Sequence, residues 1–256
     1  MSAMQMPQLV RRVGPVDAKL IRRDSFLIFM FLFAAIIALV LRFTLPLANT
    51  MLAESGVMPS ETFALSLADL YPMLVAFAAL YTGALLVGTV FGFVLLDEKD
   101  DDTLTAMMVT PVSLNQYVLY RVGAPAILAF LIIISMLLLI GQALLPLWQL
   151  VLLAAGGSLT APIVSLFFAT LAENKVQGFA YSKFGGISGW TIMLGWFVPE
   201  PFQWLIGVFP PFWISKAYWM ALEGRGLWWL VLVGGILLQA GLIYLLMSRF
   251  NKIAHR

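Results

Sequence analysis

Five of the thirteen acidic residues stand together in Asp97, Glu98, Asp100, Asp101 and Asp102, at the head of the stretch DEKDDDTLTAMMVTPVS that ends at Ser113. Carboxylates in a row suit recognition of a basic surface. They do not suit catalysis here, because the groups that would complete a reacting centre are missing. The chain has one histidine, His255, next to its last residue, and no cysteine. HExxH zinc sites and Ser-His pairs are therefore excluded from the body of the protein. No GxxxxGK[ST] phosphate loop is present, and no polar segment is large enough to hold a nucleotide-binding domain. The chain is not expected to be an enzyme, to hydrolyse ATP by itself, or to bind a cofactor or metal.

After the acids comes an apolar set, Leu104, Met107 and Met108, at i, i+3 and i+4, and then Pro111. This pattern predicts one short amphipathic helix: negative charge and an Asp102 or Thr103 cap favour its start, and proline forces its end. Anionic lipid headgroups repel such a segment. Its partner is then either another protein or the chain's own arm, through Arg11, Arg12, Arg22 or Arg23.

The elements that carry this segment are membrane helices. Of 256 residues 62% are hydrophobic and 11% charged, with a mean hydropathy of +0.96, whereas soluble domains carry about 25% charged residues. A helix needs about 20 apolar residues to cross roughly 30 Å of hydrocarbon. The continuous apolar runs exclude barrel strands, which alternate. An all-α integral membrane protein with six spans is expected: 25–43, 70–96, 116–144, 147–171, 184–198 and 226–250. Residues 1–24 form a basic arm, 25–250 a single transmembrane domain, and 251–256 a tail.

With six spans, twelve of the fifteen Lys and Arg residues fall on one side, leaving Arg42, Lys216 and Arg225 opposite. The positive-inside rule then puts both termini in the cytoplasm. Seven of the eight tryptophans collect at the other interface, which suits their amphipathic rings. The arm mixes apolar and basic residues, as an interfacial segment or a solvated flank would, and Pro15 is expected to break any helix there. No ionisable group lies at mid-depth, and Arg42 and Arg121 are expected to snorkel from span ends.

Small residues recur at spacings of four, Ala84, Gly88 and Gly92 in the second span and Gly185 and Gly189 in the fifth, which predicts close helix packing, within the chain ahead of an oligomer interface. Pro125 and Pro162 are expected to kink their spans. Residues 199–225 are too apolar for a free loop and too often interrupted by proline to cross, so they predict two short half-helices that dip into the outer leaflet and return.

A span ending in acids, then Thr-Leu, a pair of large apolar residues and Thr-Pro-x-Ser, resembles the cytoplasmic loop of type-2 ABC export permeases, roughly E-x-x-x-G-T-L-x-x-L-L-x-T-P-x-S. Glu98, Thr103, Leu104, Thr110, Pro111 and Ser113 match it, Met107 and Met108 stand at the Leu-Leu positions, and Asp102 replaces the usual glycine. The stretch ENKVQGFAYSK at 173–183 and the PEPFQW and PPFW region are also similar, closest to the branch labelled fluoroquinolone or multidrug export permeases.

The resemblance implies a permease subunit of an ATP-driven exporter in a prokaryotic plasma membrane, moving a small amphipathic or drug-like substrate, lipid or peptide outward. ABC ATPase subunits would bind Mg-ATP, and a second permease, identical or paralogous, would pair with the chain within lipid; no nucleic acid is expected. It also implies that Glu98, Asp100, Asp101, Asp102, Thr103, Leu104, Met107, Met108, Thr110 and Pro111 form the ATPase-coupling interface, and that the second and fifth spans line the path. The alternatives are a secondary transporter or channel, which would depend on an ion gradient, and a non-transporting immunity or scaffold protein.

Overall fold

The computed structural model describes residues 6–55, 67–100 and 114–254. Those residues are helical almost throughout, with no strand among them. The segment 101–113, holding Asp101, Asp102, Thr103, Leu104, Met107, Met108, Thr110 and Pro111, lies outside the described residues. Among the described residues five helices are long and apolar enough to cross a membrane: Ser25–Leu52, Leu67–Asp100, Leu119–Ile140, Leu147–Leu171 and Trp228–Phe250.

Chain order gives α1 (Met6–Arg23), α2 (Ser25–Ser55), α3 (Tyr71–Val75), a π-helical stretch Ala76–Thr82, α4 (Gly83–Asp100), α5 (Leu114–Ile140), α6 (Leu147–Ser158), α7 (Thr160–Leu171), α8 (Lys175–Phe197), α9 (Pro210–Leu222) and α10 (Trp228–Ala254). Several bounds differ from those the apolar runs suggest. The first span continues past Phe43 through Pro46 to Ser55. A proline does not stop a helix whose other backbone bonds have no water to turn to. Pro15 likewise sits inside α1 without ending it, against expectation. The fifth apolar run, 184–198, is the second half of α8, whose first turns hold Lys175, Gln177, Ser182 and Lys183. At 23 residues α8 is long enough to span, yet it is not among the five apolar helices.

α4 is the axis of the bundle. From Gly83 through Leu96 all but Leu85 are buried, because other helices enclose it on every side. The small-residue stripe makes this possible: a Cβ on Gly88 would meet the Ala161 carbonyl oxygen at 2.6 Å and Val164 Cβ at 2.8 Å, and one on Gly92 would meet the Phe168 ring at 2.7 Å. Gly185 and Gly189 of α8 pass Leu85 and Tyr81 just as closely. Small residues thus let backbones approach within one chain. By contrast α2 and α10 expose Phe29, Leu32, Phe43, Leu237 and Tyr244, as suits helices that face lipid.

The fourth span is interrupted at Leu159, one residue before α7, whose third residue is Pro162. Proline lacks the N–H that would close the preceding turn. Gln239 of α10, fully buried, bridges the two sides of the break: its Nε2 donates to the Gly156 carbonyl at 3.2 Å, and its Oε1 accepts from Thr160 Oγ1 at 3.0 Å. Residues 199–225 form two short helices, Phe202–Val208 and α9, neither long enough to cross. α9 is packed inside the protein rather than laid on its surface. Phe212, Ile214, Ala217, Tyr218 and Trp219 are all buried, and Tyr218 and Trp219 donate to the carbonyls of Ala143 and Pro72.

Candidate functional site: an apolar cavity and a buried charge cluster

The second span widens into a π-helix over Ala76–Thr82, a geometry with i to i+5 bonds that is rare and frequent at functional sites. It carries Tyr81, whose hydroxyl donates to the Gly185 carbonyl at 2.6 Å and lies 2.7 Å from Ser188 Oγ in α8. Beside this contact is a cavity of about 270 Å³, lined by α7, α8, α10 and the joint at Phe209–Pro211. Its walls are aromatic and aliphatic: Phe167, Tyr181, Phe184 and Phe209, with the hydroxyls of Tyr81, Ser188 and Thr160 as polar points. No Asp, Glu, Lys, Arg or His is among its lining residues. Such a space suits an apolar or aromatic molecule and offers hydrogen-bond acceptors at one edge, since these hydroxyls donate to Gly185 and Gln239, but it has no counter-ion for a full charge.

A second constellation lies where α1, the end of α4 and the start of α5 meet. Arg121 is 1% exposed, so it does not snorkel. Its Nη1 donates to Asp17 Oδ2 at 2.7 Å, its Nη2 to Glu98 Oε1, and its Nε to the Tyr117 hydroxyl at 3.1 Å. Tyr117 donates to Glu98 Oε2, and Tyr120 donates to Asp17 Oδ2 at 2.8 Å. A guanidinium presents a planar fork of donors, which lets one side chain hold two carboxylates. The group is buried, with two carboxyl groups on one guanidinium. Asp17 Oδ1 is buried with no hydrogen-bond partner among the described residues.

Of the acidic run, Asp97 takes an ion pair with Lys175 at 2.8 Å, which also lies 3.6 Å from Asp24. Glu98 is turned into the protein, and Lys99 Nζ donates to the Ala172 carbonyl at the end of α7. Asp100 is exposed. Asp97, Glu98 and Lys99 are thus tied to the chain's own helices, and the arm supplies a carboxylate, Asp17, where its arginines were one of the two expected kinds of partner. Tyr117, Tyr120 and Arg121 stand at i, i+3 and i+4 and so share a helix face; that spacing was the available signal. Nothing in the sequence pointed to Asp17, more than a hundred residues away.

At the opposite end of the bundle Lys216 is buried, donating to Glu200 and, at 2.6 Å, to Gln203 Oε1, with the Trp204 ring 5.7 Å from its Nζ. Gln203 Nε2 donates back to the Gly195 carbonyl at 2.7 Å, and Arg225 bridges Glu200 at 3.0 Å and Glu223 at 2.8 Å. The hydrogen bond from Lys216 holds the Glu200 carboxyl below the usual carboxylate range, partial burial opposes it, and Arg225 adds to the lowering. These bonds pin the two short helices to each other and to α8.

A family model described as fluoroquinolones export permease protein Rv2686c-like matches residues 17–247. Two Mycobacterium tuberculosis proteins are similar along nearly their whole length: fluoroquinolones export permease protein MT2760 of strain CDC 1551 / Oshkosh and fluoroquinolones export permease protein Rv2686c of strain ATCC 25618 / H37Rv. Each is 28% identical over 258 residues, covering 98% of this chain and 97% of the relative. No solved structure matches.

Proposed function

Since the chain belongs to the Rv2686c-like fluoroquinolone export permease family, we propose that it is the membrane subunit of an ATP-driven drug exporter, energised by separate ABC ATPase subunits that bind Mg-ATP. The single observation that carries the substrate class is the cavity beside Tyr81, apolar, aromatic and free of ionised side chains. It suits a planar aromatic drug in an uncharged form whose hydroxyl or N–H donates to the oxygens of Tyr81 and Ser188, because their own protons go to the Gly185 carbonyl. At about 270 Å³ it is slightly below the roughly 300 to 1,000 Å³ of drug-sized pockets. A second copy of the permease, or a paralogue, would complete it between the second and fifth spans.

In this proposal α8 is the sixth span, residues 199–225 are re-entrant, and both termini face the cytoplasm of a prokaryotic plasma membrane. The arm 1–24, the spanning domain 25–250 and the tail 251–256 divide the chain. The 97–113 segment docks on the ATPase through Leu104, Met107 and Met108. Asp100, Asp101, Asp102, Thr103, Thr110 and Pro111 shape and orient it, and Glu98 anchors its root from inside.

The test is ATP-dependent uptake of a fluoroquinolone into inside-out vesicles, with ATPase co-purification measured on the same material. Replacing Leu104, Met107 and Met108 with Asp is expected to release the ATPase and stop uptake. Leu242→Trp, which fills the cavity from α10, is expected to stop uptake with the ATPase retained. Uptake undiminished in the Leu242→Trp variant would refute the substrate site. An ATPase retained by the triple variant would refute the docking segment.

A further inference from the structure

We infer that Asp17 is a positioning residue that fastens the N-terminal arm, through Arg121, to the end of α4 and the start of α5, so that the arm and these two helix ends move as one body during the export cycle. The coupling half of this inference rests on the proposal that 101–113 meets the ATPase; the fastening itself does not.

Glu98 stands three residues before that segment and Arg121 eight residues after it, and their ion pair closes the segment's base. Asp17 joins the same guanidinium from a third helix, and Tyr120 adds a second bond to the same carboxylate oxygen. All three charged side chains are buried: Asp17 is 3% exposed, Glu98 7% and Arg121 1%. Charges removed from water are held by one another, and separating them without rehydration is strongly unfavourable.

The arrangement is also lopsided. Glu98 and Arg121 would balance each other alone, so Asp17 is not needed to neutralise the base of the segment. Its presence puts a second buried carboxyl group on one guanidinium and leaves Oδ1 without a partner among the described residues. A carboxylate placed at that disadvantage gains one thing from Arg121, a fixed position for α1. Beyond it, Leu20 and Ile21 lean on the cluster formed by Leu27, Val90, Phe93 and Phe168. Displacing the segment's base therefore pulls on the arm, and through Leu20 and Ile21 on the second and fourth spans.

Asp17→Ala is the variant to use, because it cuts the arm free and leaves the Glu98–Arg121 pair balanced. The chain contains no cysteine, so Leu20→Cys gives a single reporter of arm docking. In permeabilised membranes, Asp17→Ala is expected to speed labelling of that cysteine by a water-soluble maleimide about tenfold, equivalent to about 1.4 kcal/mol of lost docking. Without the reporter, the same substitution is expected to lower fluoroquinolone transported per ATP hydrolysed about fivefold at equal permease abundance, with the ATPase still co-purifying. Asp17→Asn keeps an acceptor oxygen for Arg121 and is expected to restore most of both. A merely structural role would change abundance but not the ratio of transport to hydrolysis.

Labelling of Leu20→Cys at the parent rate in the Asp17→Ala background would overturn the fastening. Faster labelling with an unchanged transport ratio would overturn the mechanical role. If the Leu104, Met107 and Met108 variant retains its ATPase, the docking proposal fails, and the labelling result still decides whether Asp17 holds the arm.

Discussion

Replacing Gly88 with alanine adds one methyl group where α4 crosses the backbone of α7. Its carbon would sit 2.6 Å from the Ala161 carbonyl oxygen, 2.8 Å from Val164 Cβ and 3.0 Å from Ala161 Cα. Ordinary contact begins at 3.4 Å, so α4 and α7 must separate by about 0.8 Å. Neither backbone nor a β-branched Cβ can swing aside as the tip of a long side chain would. Overpacking of this kind costs about 1 to 3 kcal/mol, and a contact against backbone belongs at the upper end. Alanine returns about 1 kcal/mol through helix propensity, which leaves a net loss of about 2 kcal/mol. For a chain of this size that lowers Tm by about 4 to 8 °C. Gly241→Ala is the matched control, since a Cβ there meets nothing within 4 Å, and it is expected to keep or raise Tm. The assay is thermal unfolding of both variants in one detergent. Equal stability of Gly88→Ala and Gly241→Ala would refute the idea that close backbone approach sets the α4–α7 crossing. Because α7 also carries Thr160, Ile163 and Val164 of the cavity wall, fluoroquinolone uptake is expected to fall with it.

Arg121→Met leaves Asp17 and Glu98 buried without their cation, and breaking such a group costs about 3 to 5 kcal/mol; the expected result is a large loss of folded protein in the membrane, and a parental melting temperature would contradict it. Glu200 gives a pH dependence at the other end of the bundle. Its carboxyl is held below the usual range in the folded protein, so its contribution is full above the unfolded value of about 4.3 and fades as pH falls through the lower folded value. Melting curves taken from pH 6 downward are expected to show the parent converging on Glu200→Gln as acid is added, and parallel curves would exclude the linkage.

Spans were legible because each is a continuous apolar run, and the runs predict where helices cross far better than where they end. Pro46 and Pro15 show why. In sequence a proline reads as a stop, whereas the surroundings decide whether one missing hydrogen bond matters. α8 shows the reverse case: its first turns hold Lys175, Gln177, Ser182 and Lys183, residues that an apolar run excludes. The close-packing glycines were legible from spacing alone, since a four-residue interval puts them on one face. The charge cluster was not. Arg121 near a span end has the local look of a snorkelling residue, and its carboxylate partners lie on two other helices, one of them 104 positions away. The cavity was hidden for a related reason. Tyr81 projects from a π-helical stretch, where the 3.6-residue face rule does not hold.

The distance along the chain between Asp17 and Arg121 also sets an order of events during synthesis. A ribosome adding about 5 to 20 residues per second needs roughly 5 to 20 s to extend the 104 residues between them. Throughout that interval the arm has no cation to receive its carboxylate at this site. Asp17 waits without its cation while α2, the second span and the 101–113 segment are made, and the pair closes only when the start of α5 emerges. Pairing of Asp17 is therefore a later step than the packing of Leu20 and Ile21 on Leu27, Val90 and Phe93, and a nascent chain stopped before Arg121 would hold its arm by those apolar contacts without the ion pair.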